Sequence, residues 1–202
     1  MLTHLRPAIV LIAIFTLVTG VLFPLGFVGL GKIALPFQAG GSLIVQNGKV
    51  VGSALIGQNF TSDKYFHGRP SALMGTDPKD STKQVATPYD ASESGASNLG
   101  PTSKALVDRV AGDVKAFHGA SVPGDAVTTS ASGLDPDVSP ANAALQVERV
   151  AKARNLSPNA VQAIVAAHTE QPLLGFLGAP RVNVLAVNLA LDAQSGGAVA
   201  RN

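Results

Sequence analysis

The chain has 202 residues, with fifteen Lys and Arg against thirteen Asp and Glu, and neither cysteine nor tryptophan. Apart from Arg6 and Lys32 the charges balance at thirteen of each sign, which excludes the basic face that a nucleic-acid partner requires. Absence of cysteine removes any disulfide, thiolate nucleophile or thiolate metal site, and two tyrosines are too few for an aromatic cage or carbohydrate platform.

Between Arg6 and Lys32 run twenty-five residues without a charge. As a helix they reach roughly 37 Å, enough to cross a ~30 Å hydrocarbon core with tilt. Eleven residues from Ile9 to Phe23 are Leu, Ile, Val or Phe, and together they favour insertion by about 3–7 kcal/mol. A cleaved signal sequence normally has a shorter apolar core and a small-x-small cleavage site. Lys32-Ile-Ala-Leu-Pro36 offers none, so the stretch reads as an uncleaved anchor. His4 and Arg6 orient its N-terminus to the cytoplasm and the rest of the chain to the extracytoplasmic side. Thr16, Gly20 and Gly29 are its candidate helix-packing positions.

Beyond the anchor, Asn47-Gly48 separates Ser42–Gln46 from the β-branched run Lys49–Ile56. Both turn residues tolerate φ > 0, so a type I′ hairpin is expected. Gln58–Pro101 is rich in Ser, Gly, Asp, Asn and Pro and reads as a long loop region, of the kind that carries function. After it, Thr102 or Ser103 caps a helix with Leu106, Val110, Val114 and Phe117 on one face. A second polar gap, Gly119–Asp137, leads to two helices that both open on Ser-Pro, at Ser139-Pro140 and Ser157-Pro158. The first is expected to bury Ala144, Val147, Val150 and Ala151, the second Val161, Ile164 and Val165. The run Val182–Ala190, β-branched and preceded by Pro180, predicts a strand, and the residues from Gln194 a frayed tail.

Few residues fall in patterns that carry chemistry. Gly26–Lys32 has the spacing of a phosphate loop but continues into Ile33, so the magnesium-holding hydroxyl is missing. His67, His118 and His168 are not at helical ligand spacing, and no nucleophile sits beside a base. Two segments stand out. Tyr65, Phe66, His67 and Arg69 form an aromatic and basic cluster suited to partner contact. Ser94, Gly95, Ser97 and Asn98 lie in a small-residue loop whose amides are weak candidates for nucleotide or other anion binding.

These residues also carry a resemblance. Val50–Gln58, Tyr65-Phe-His-Gly-Arg-Pro-Ser71, Ser97-Asn-Leu-Gly-Pro101, Pro123–Pro140 and Arg181-Val-Asn-Val-Leu185 follow in order. Together they resemble the KdpC family, the C subunit of the bacterial high-affinity, ATP-driven potassium transporter, from the span to about Asp192. The resemblance implies an inner-membrane pump with a channel-like potassium-binding subunit, a P-type ATPase subunit and a small F subunit. It implies ATP and potassium as ligands of the complex, none of them a cofactor of this chain, with membrane lipid around the span. It also implies a role in assembly and activity, in the form of a catalytic chaperone that raises the ATPase subunit's affinity for ATP. The nucleotide-contact stretch of that idea departs here to Ser94-Gly-Ala-Ser-Asn-Leu99.

The expected architecture is α+β. It comprises a cytoplasmic head at 1–6, a transmembrane helix at 7–31, an extracytoplasmic domain at 32–192 and a tail at 193–202. The domain is expected to hold the N-terminal β-hairpin and at least three helices. The alternative function is a membrane-anchored extracytoplasmic protein that binds a small ligand.

Overall fold

The computed structural model describes residues 2–117 and 121–194; His118 and the tail beyond Gln194 lie outside them. The described chain divides into two compact units, one through Ser53 and one from Ala54.

In the first unit a single helix runs Leu5–Ala34, thirty residues long. It exceeds the uncharged stretch because it takes in Arg6 and Lys32, the lysine lying in the last turn where a cation complements the helix dipole. Two α segments, α1 (Leu5–Leu17) and α2 (Phe23–Ala34), flank a wider π turn at Val18–Leu22. Pro24 accounts for the widening, since proline has no N–H and its ring crowds the preceding turn. The Phe23 N–H reaches back five residues to the Val18 carbonyl, and the Thr19 hydroxyl donates to the Phe15 carbonyl at 2.6 Å. A short α3 (Pro36–Ala39) leads into β1 (Leu43–Gln46) and β2 (Lys49–Ser53). The Asn-Gly hairpin is as expected: Asn47 and Gly48 have φ of +52° and +73°, and the strands pair antiparallel from Leu43↔Ser53 to Gln46↔Lys49.

The second unit departs from the sequence reading first at its long loop. Inside Gln58–Pro101 the chain forms a hairpin, β3 (Met74–Asp77) and β4 (Asp80–Ala86). Most of its residues are exposed, so no alternation of apolar residues announces it. The helix α4 (Lys104–Ala116) starts after Ser103, but the Ser103 side chain makes no capping bond. Its apolar face is shallow: Leu106 and Val110 are half-buried and Val114 is exposed. The second polar gap holds a single turn, α5 (Gly124–Val127), before β5 (Asp137–Val138).

Both Ser-Pro starts are helix N-termini. In α6 (Pro140–Arg154) the Ser139 hydroxyl accepts from the Asn142 N–H, and in α7 (Pro158–Ala167) Ser157 accepts from Ala160. The buried face of α6 is rotated from the expected one: Ala144 is exposed, and Asn142 and Ala143 are buried with Val147, Val150 and Ala151. Val161, Ile164 and Val165 of α7 are buried as expected. After β6 (Thr169–Glu170), the expected strand at 182–190 is corrected to a three-residue β7 (Arg181–Asn183) running straight into α8 (Val184–Gln194). The Asn183 carboxamide oxygen accepts the Ala186 N–H at 3.0 Å, a side-chain cap that turns the chain helical. Helical spacing then buries Val184, Leu185, Val187, Asn188 and Leu191, overriding the β-preference of the valines.

β7 is the middle strand of an antiparallel sheet ordered β5-β7-β6. Helices α6, α7 and α8 share one core with it, built from Phe66, Val138, Val147, Val150, Val161, Val182, Val187 and Leu191 among others. Each such side chain contributes about 1.5–3 kcal/mol on leaving water.

Asp125 ties the α5 turn to this core. Its carboxylate accepts the Ser139 N–H at 2.7 Å, the Ser139 hydroxyl at 2.8 Å and the Asn142 amide at 3.1 Å. Burial alone would raise this carboxyl, but the Ser139 and Asn142 hydrogen bonds prevail and hold it below the usual range. Replacing Asp125 by Ala is expected to cost about 2 kcal/mol or more, read as a lower thermal or urea midpoint. Because the folded pKa is depressed, the wild-type advantage should persist above about pH 4 and shrink as acid protonates the carboxylate.

Candidate functional site

The cluster at residues 65–69 is an extended segment that pairs with no strand, so its backbone groups need partners from side chains. Two buried or half-buried amides supply them. Asn188 of α8 accepts the Phe66 N–H at 2.8 Å and donates to the Phe66 carbonyl at 2.9 Å. Gln146 of α6 accepts the His67 N–H at 2.8 Å and donates to the His67 carbonyl at 3.1 Å. Each carboxamide reads the backbone as a neighbouring strand would. Arg149 continues the series, donating to the carbonyls of Asp63 and Tyr65 and to Gln146.

The side chains of the cluster go different ways. Phe66 is 1% exposed and belongs to the core, which leaves Tyr65, His67 and Arg69 as the half-buried members. The Tyr65 hydroxyl donates to Asp192 at 3.2 Å, and the Arg154 guanidinium lies 4.9 Å from the centre of its ring. Arg154 also pairs with Asp192 at 2.8 Å, both side chains being largely buried. Burial first, and then the Asp192 charge, raise the Tyr65 phenol. His67 is lowered by burial and by the Arg149 charge, which keeps it neutral at pH 7. Its Nε2 lies 3.1 Å from the Ser62 carbonyl, a contact suited to donation from the neutral ring. Arg69 pairs with Asp135 at 2.9 Å and reaches the Thr129 carbonyl at 3.3 Å.

A cleft of about 410 Å³ opens beside the segment, lined among others by His67, Arg69, Tyr89, Asn142, Gln146 and Arg149. Tyr89, in the left-handed region at φ +62°, lays its ring against Gly68, where a Cβ would collide with the hydroxyl. That hydroxyl donates to the Arg69 carbonyl at 2.8 Å. Burial, and secondarily Asp135, push the phenol up to about 12, so it stays a donor at physiological pH. The cleft's two guanidinium groups are each paired with a carboxylate, Arg69 with Asp135 and Arg149 with Asp63, so most of its polar capacity is turned into the protein.

The small-residue loop lies apart from these residues. Its Gly95 N–H donates to the Ser132 carbonyl at 2.9 Å and the Ser94 hydroxyl reaches the same oxygen at 3.4 Å. Ser94 and Asn98 are exposed, Ser97 is half-buried, and Asn98 has φ +52°. An anion would find the Gly95 amide already engaged. In the helix, Thr16 and Gly20 share a face, since a Cβ on Gly20 would lie 4.0 Å from the Thr16 methyl, and a Cβ on Gly29 would meet nothing. Among the described residues no group of three or more His, Asp or Glu is placed to hold a metal ion.

Asn188, Gln146 and Arg149 escaped the sequence reading. An asparagine amid Val-Leu-Ala-Val-Asn-Leu-Ala-Leu was the available signal, since a polar residue in so apolar a run needs a buried partner. Asn188→Ala is expected to leave the Phe66 N–H and carbonyl buried and unpaired, costing about 2–5 kcal/mol. Thermal unfolding of the purified full chain in detergent measures this, and an unchanged midpoint would mean that the pairing contributes nothing.

Comparison with known proteins covers the apolar helix and the second unit together. The family described as "KdpC: K+-transporting ATPase, c chain" matches residues 5–193. A potassium-transporting ATPase KdpC subunit of Bradyrhizobium diazoefficiens is 59% identical over 95% of this chain and 98% of its own length. Those of Rhodopseudomonas palustris strain BisB18 and Methylobacterium nodulans are 58% and 55% identical, over 96% and 97% of this chain and 99% and 100% of theirs. With the anchor, the Arg181-Val-Asn183 corner and the paired Tyr65–Arg69 segment all inside that match, the chain belongs to the KdpC family of K+-transporting ATPase subunits.

Proposed function

We propose that this chain is a non-catalytic subunit of an ATP-driven potassium uptake pump, and that it supports assembly and activity of the channel-like and P-type ATPase subunits. The observation that carries this reading is the family match from residue 5 to 193, through helix and domain alike. A small F subunit completes the complex. ATP and potassium are ligands of that complex, and the chaperone effect on ATP affinity is transmitted through subunit contacts.

The chain is divided as a head at 1–6 in the cytoplasm, a span at 7–31, an extracytoplasmic domain at 32–192 and a tail at 193–202. Thr16, Gly20 and Gly29 meet neighbouring helices or lipid; His67 and Arg69 line the partner-facing cleft, Tyr65 packs on Arg154 and Asp192 beside it, and Phe66 stays in the core. Direct nucleotide contact by Ser94, Gly95, Ser97 and Asn98 is disfavoured twice. The Gly95 amide is engaged with Ser132, and an extracytoplasmic loop has no access to cytoplasmic ATP.

Carboxylates on the exposed hairpin and loops, among them Asp63, Asp77, Asp80, Asp90 and Glu93, bias cations toward the outer mouth, offset by Lys64, Arg69, Lys79 and Lys83. The Thr82 hydroxyl and Lys83 hold Asp80 below the usual carboxylate range, and the Ser92 hydroxyl and N–H do the same for Asp90. Both therefore stay ionised in mildly acidic surroundings. The cleft of about 410 Å³ favours one second reading, an anchored protein that binds a small ligand and acts without the pump.

Deleting residues 54–202 while keeping the helix and hairpin should reduce potassium uptake to background in cells that depend on this transporter. Uptake that survives the deletion would refute the pump role and favour the ligand-binding reading. Added protease should digest the domain on intact spheroplasts. Digestion only after lysis would reverse the orientation and reopen nucleotide contact.

A further inference from the structure

The first unit differs from the second in the sign of its charge. Through Ser53 it holds no Asp or Glu, while its cations include Arg6, Lys32 and Lys49. Every acidic side chain of the protein lies from Asp63 onward. Between Lys32 and Lys49 the chain stays uncharged although it has left the helix, passing through α3 into β1.

Backbone contacts fasten these pieces to the helix end. The Leu35 N–H donates to the Gly31 carbonyl at 2.8 Å and the Ala39 N–H to the Leu35 carbonyl at 2.9 Å. A Cβ on Gly31 would lie 3.6 Å from the Ala39 methyl, so α3 turns back on the last helical turn. The buried Ser42 donates its N–H to the Phe37 carbonyl at 2.9 Å, and the Ser53 hydroxyl donates to the Gly41 carbonyl at 2.8 Å. One face of the tethered hairpin is apolar and open. Val45 stands opposite Val50, and Leu43 precedes Val45 by two residues on the same side. These three are 60%, 52% and 47% exposed, and between helix and hairpin Leu35 and Phe37 are exposed as well.

We infer that this face of the β1–β2 hairpin rests on the bilayer surface where the helix ends, with Lys32 and Lys49 against lipid phosphates. The inference rests on the membrane span proposed above. Charge complementarity favours lipid as the occupant: aliphatic side chains flanked by cations, in a unit without one carboxylate, match acyl chains beneath an anionic headgroup layer. Among the described residues the lysines held in ion pairs are Lys83 and Lys104, which leaves Lys32 and Lys49 to phosphates. A lysine stem lies along apolar surface while its ammonium reaches the polar layer. Depth agrees. Thirty residues of helix span about 45 Å against a hydrocarbon core of ~30 Å, so the end turns, with α3 and the hairpin fastened to them, stand at headgroup level.

The test uses the full-length tagged chain, purified in mild detergent with the subunits it retains. It is placed in vesicles of phosphatidylethanolamine with about one-third phosphatidylglycerol. An environment-sensitive dansylalanine takes the place of Val45, Val50, Ile14 in the helix, or Lys79 in the exposed β3–β4 turn, one at a time. Nitroxide lipids labelled near the headgroup or deep in the acyl chain serve as quenchers. The shallow label should quench the probes at Val45 and Val50 at least about twofold more than the one at Lys79. That excess should fall by about half in Lys32→Gln/Lys49→Gln, or when phosphatidylcholine replaces phosphatidylglycerol. An excess indifferent to both changes overturns the phosphate contact. Quenching of Ile14 by the deep label with none at Val45 and Val50 overturns the inference and leaves the span standing; blue-shifted emission there would then identify a protein cover. If Ile14 is not quenched either, the span fails and the inference with it.

Discussion

Everything in the second unit depends on satisfying the backbone of one unpaired extended segment. Residues 65–69 cross between helices with no strand beside them, and a buried N–H or carbonyl left unpaired there would cost about 1–3 kcal/mol. Asn188 and Gln146 meet the demand from two different helices, so α6 and α8 cannot shift independently without breaking amide pairs. Phe66 is delivered to the core by the same pairing. The polar contacts here set geometry, while the valine-rich core supplies the driving force. The Arg154–Asp192 pair under Tyr65 reinforces the crossing, since removing either partner would strand a buried charge.

A second device lies at the strand-to-helix corner. Arg181 clamps the flanking strands and Val182 fills the core. Asn183 then makes three bonds in three directions, to the Ala186 N–H, the Asp137 carboxylate and the Ala54 carbonyl. In five residues this stretch ends a sheet, caps a helix and fastens the start of the unit. A function in transport thus rests on a motif whose local duties are structural, and partner contact falls to the surfaces these devices hold in place.

Legibility in the sequence followed the locality of the forces. The apolar helix, the Asn-Gly turn and both Ser-Pro caps are decided within a few residues, and all were readable. The β3–β4 hairpin was not, because a strand exposed on both faces carries no period-two pattern. Val182–Ala190 misled through β-branching, since its helical state is set by the Asn183 cap and by burial of Val184, Leu185, Val187 and Asn188 at helical spacing. The expected burial of Ala144 was one residue off, which on a helix is about 100° of rotation. For the site, Tyr65, His67 and Arg69 were visible by composition, whereas most of their partners lie 60 to 127 residues away. Such pairings exist only in the fold.

The widened turn at Val18–Leu22 has a consequence for what a single-pass helix can touch. One π turn withdraws roughly one residue's rotation, about 100°, from everything beyond it. In an unbroken α-helix Gly29 would lie about 180° from Gly20; the π turn brings it to about 80°, still off the face that Thr16 and Gly20 share. The helix offers its two halves, before and after the π turn, on separate bearings, like two keys cut on one blank. An apolar helix so divided can present a different face in each half, which suits a subunit of a transporting complex.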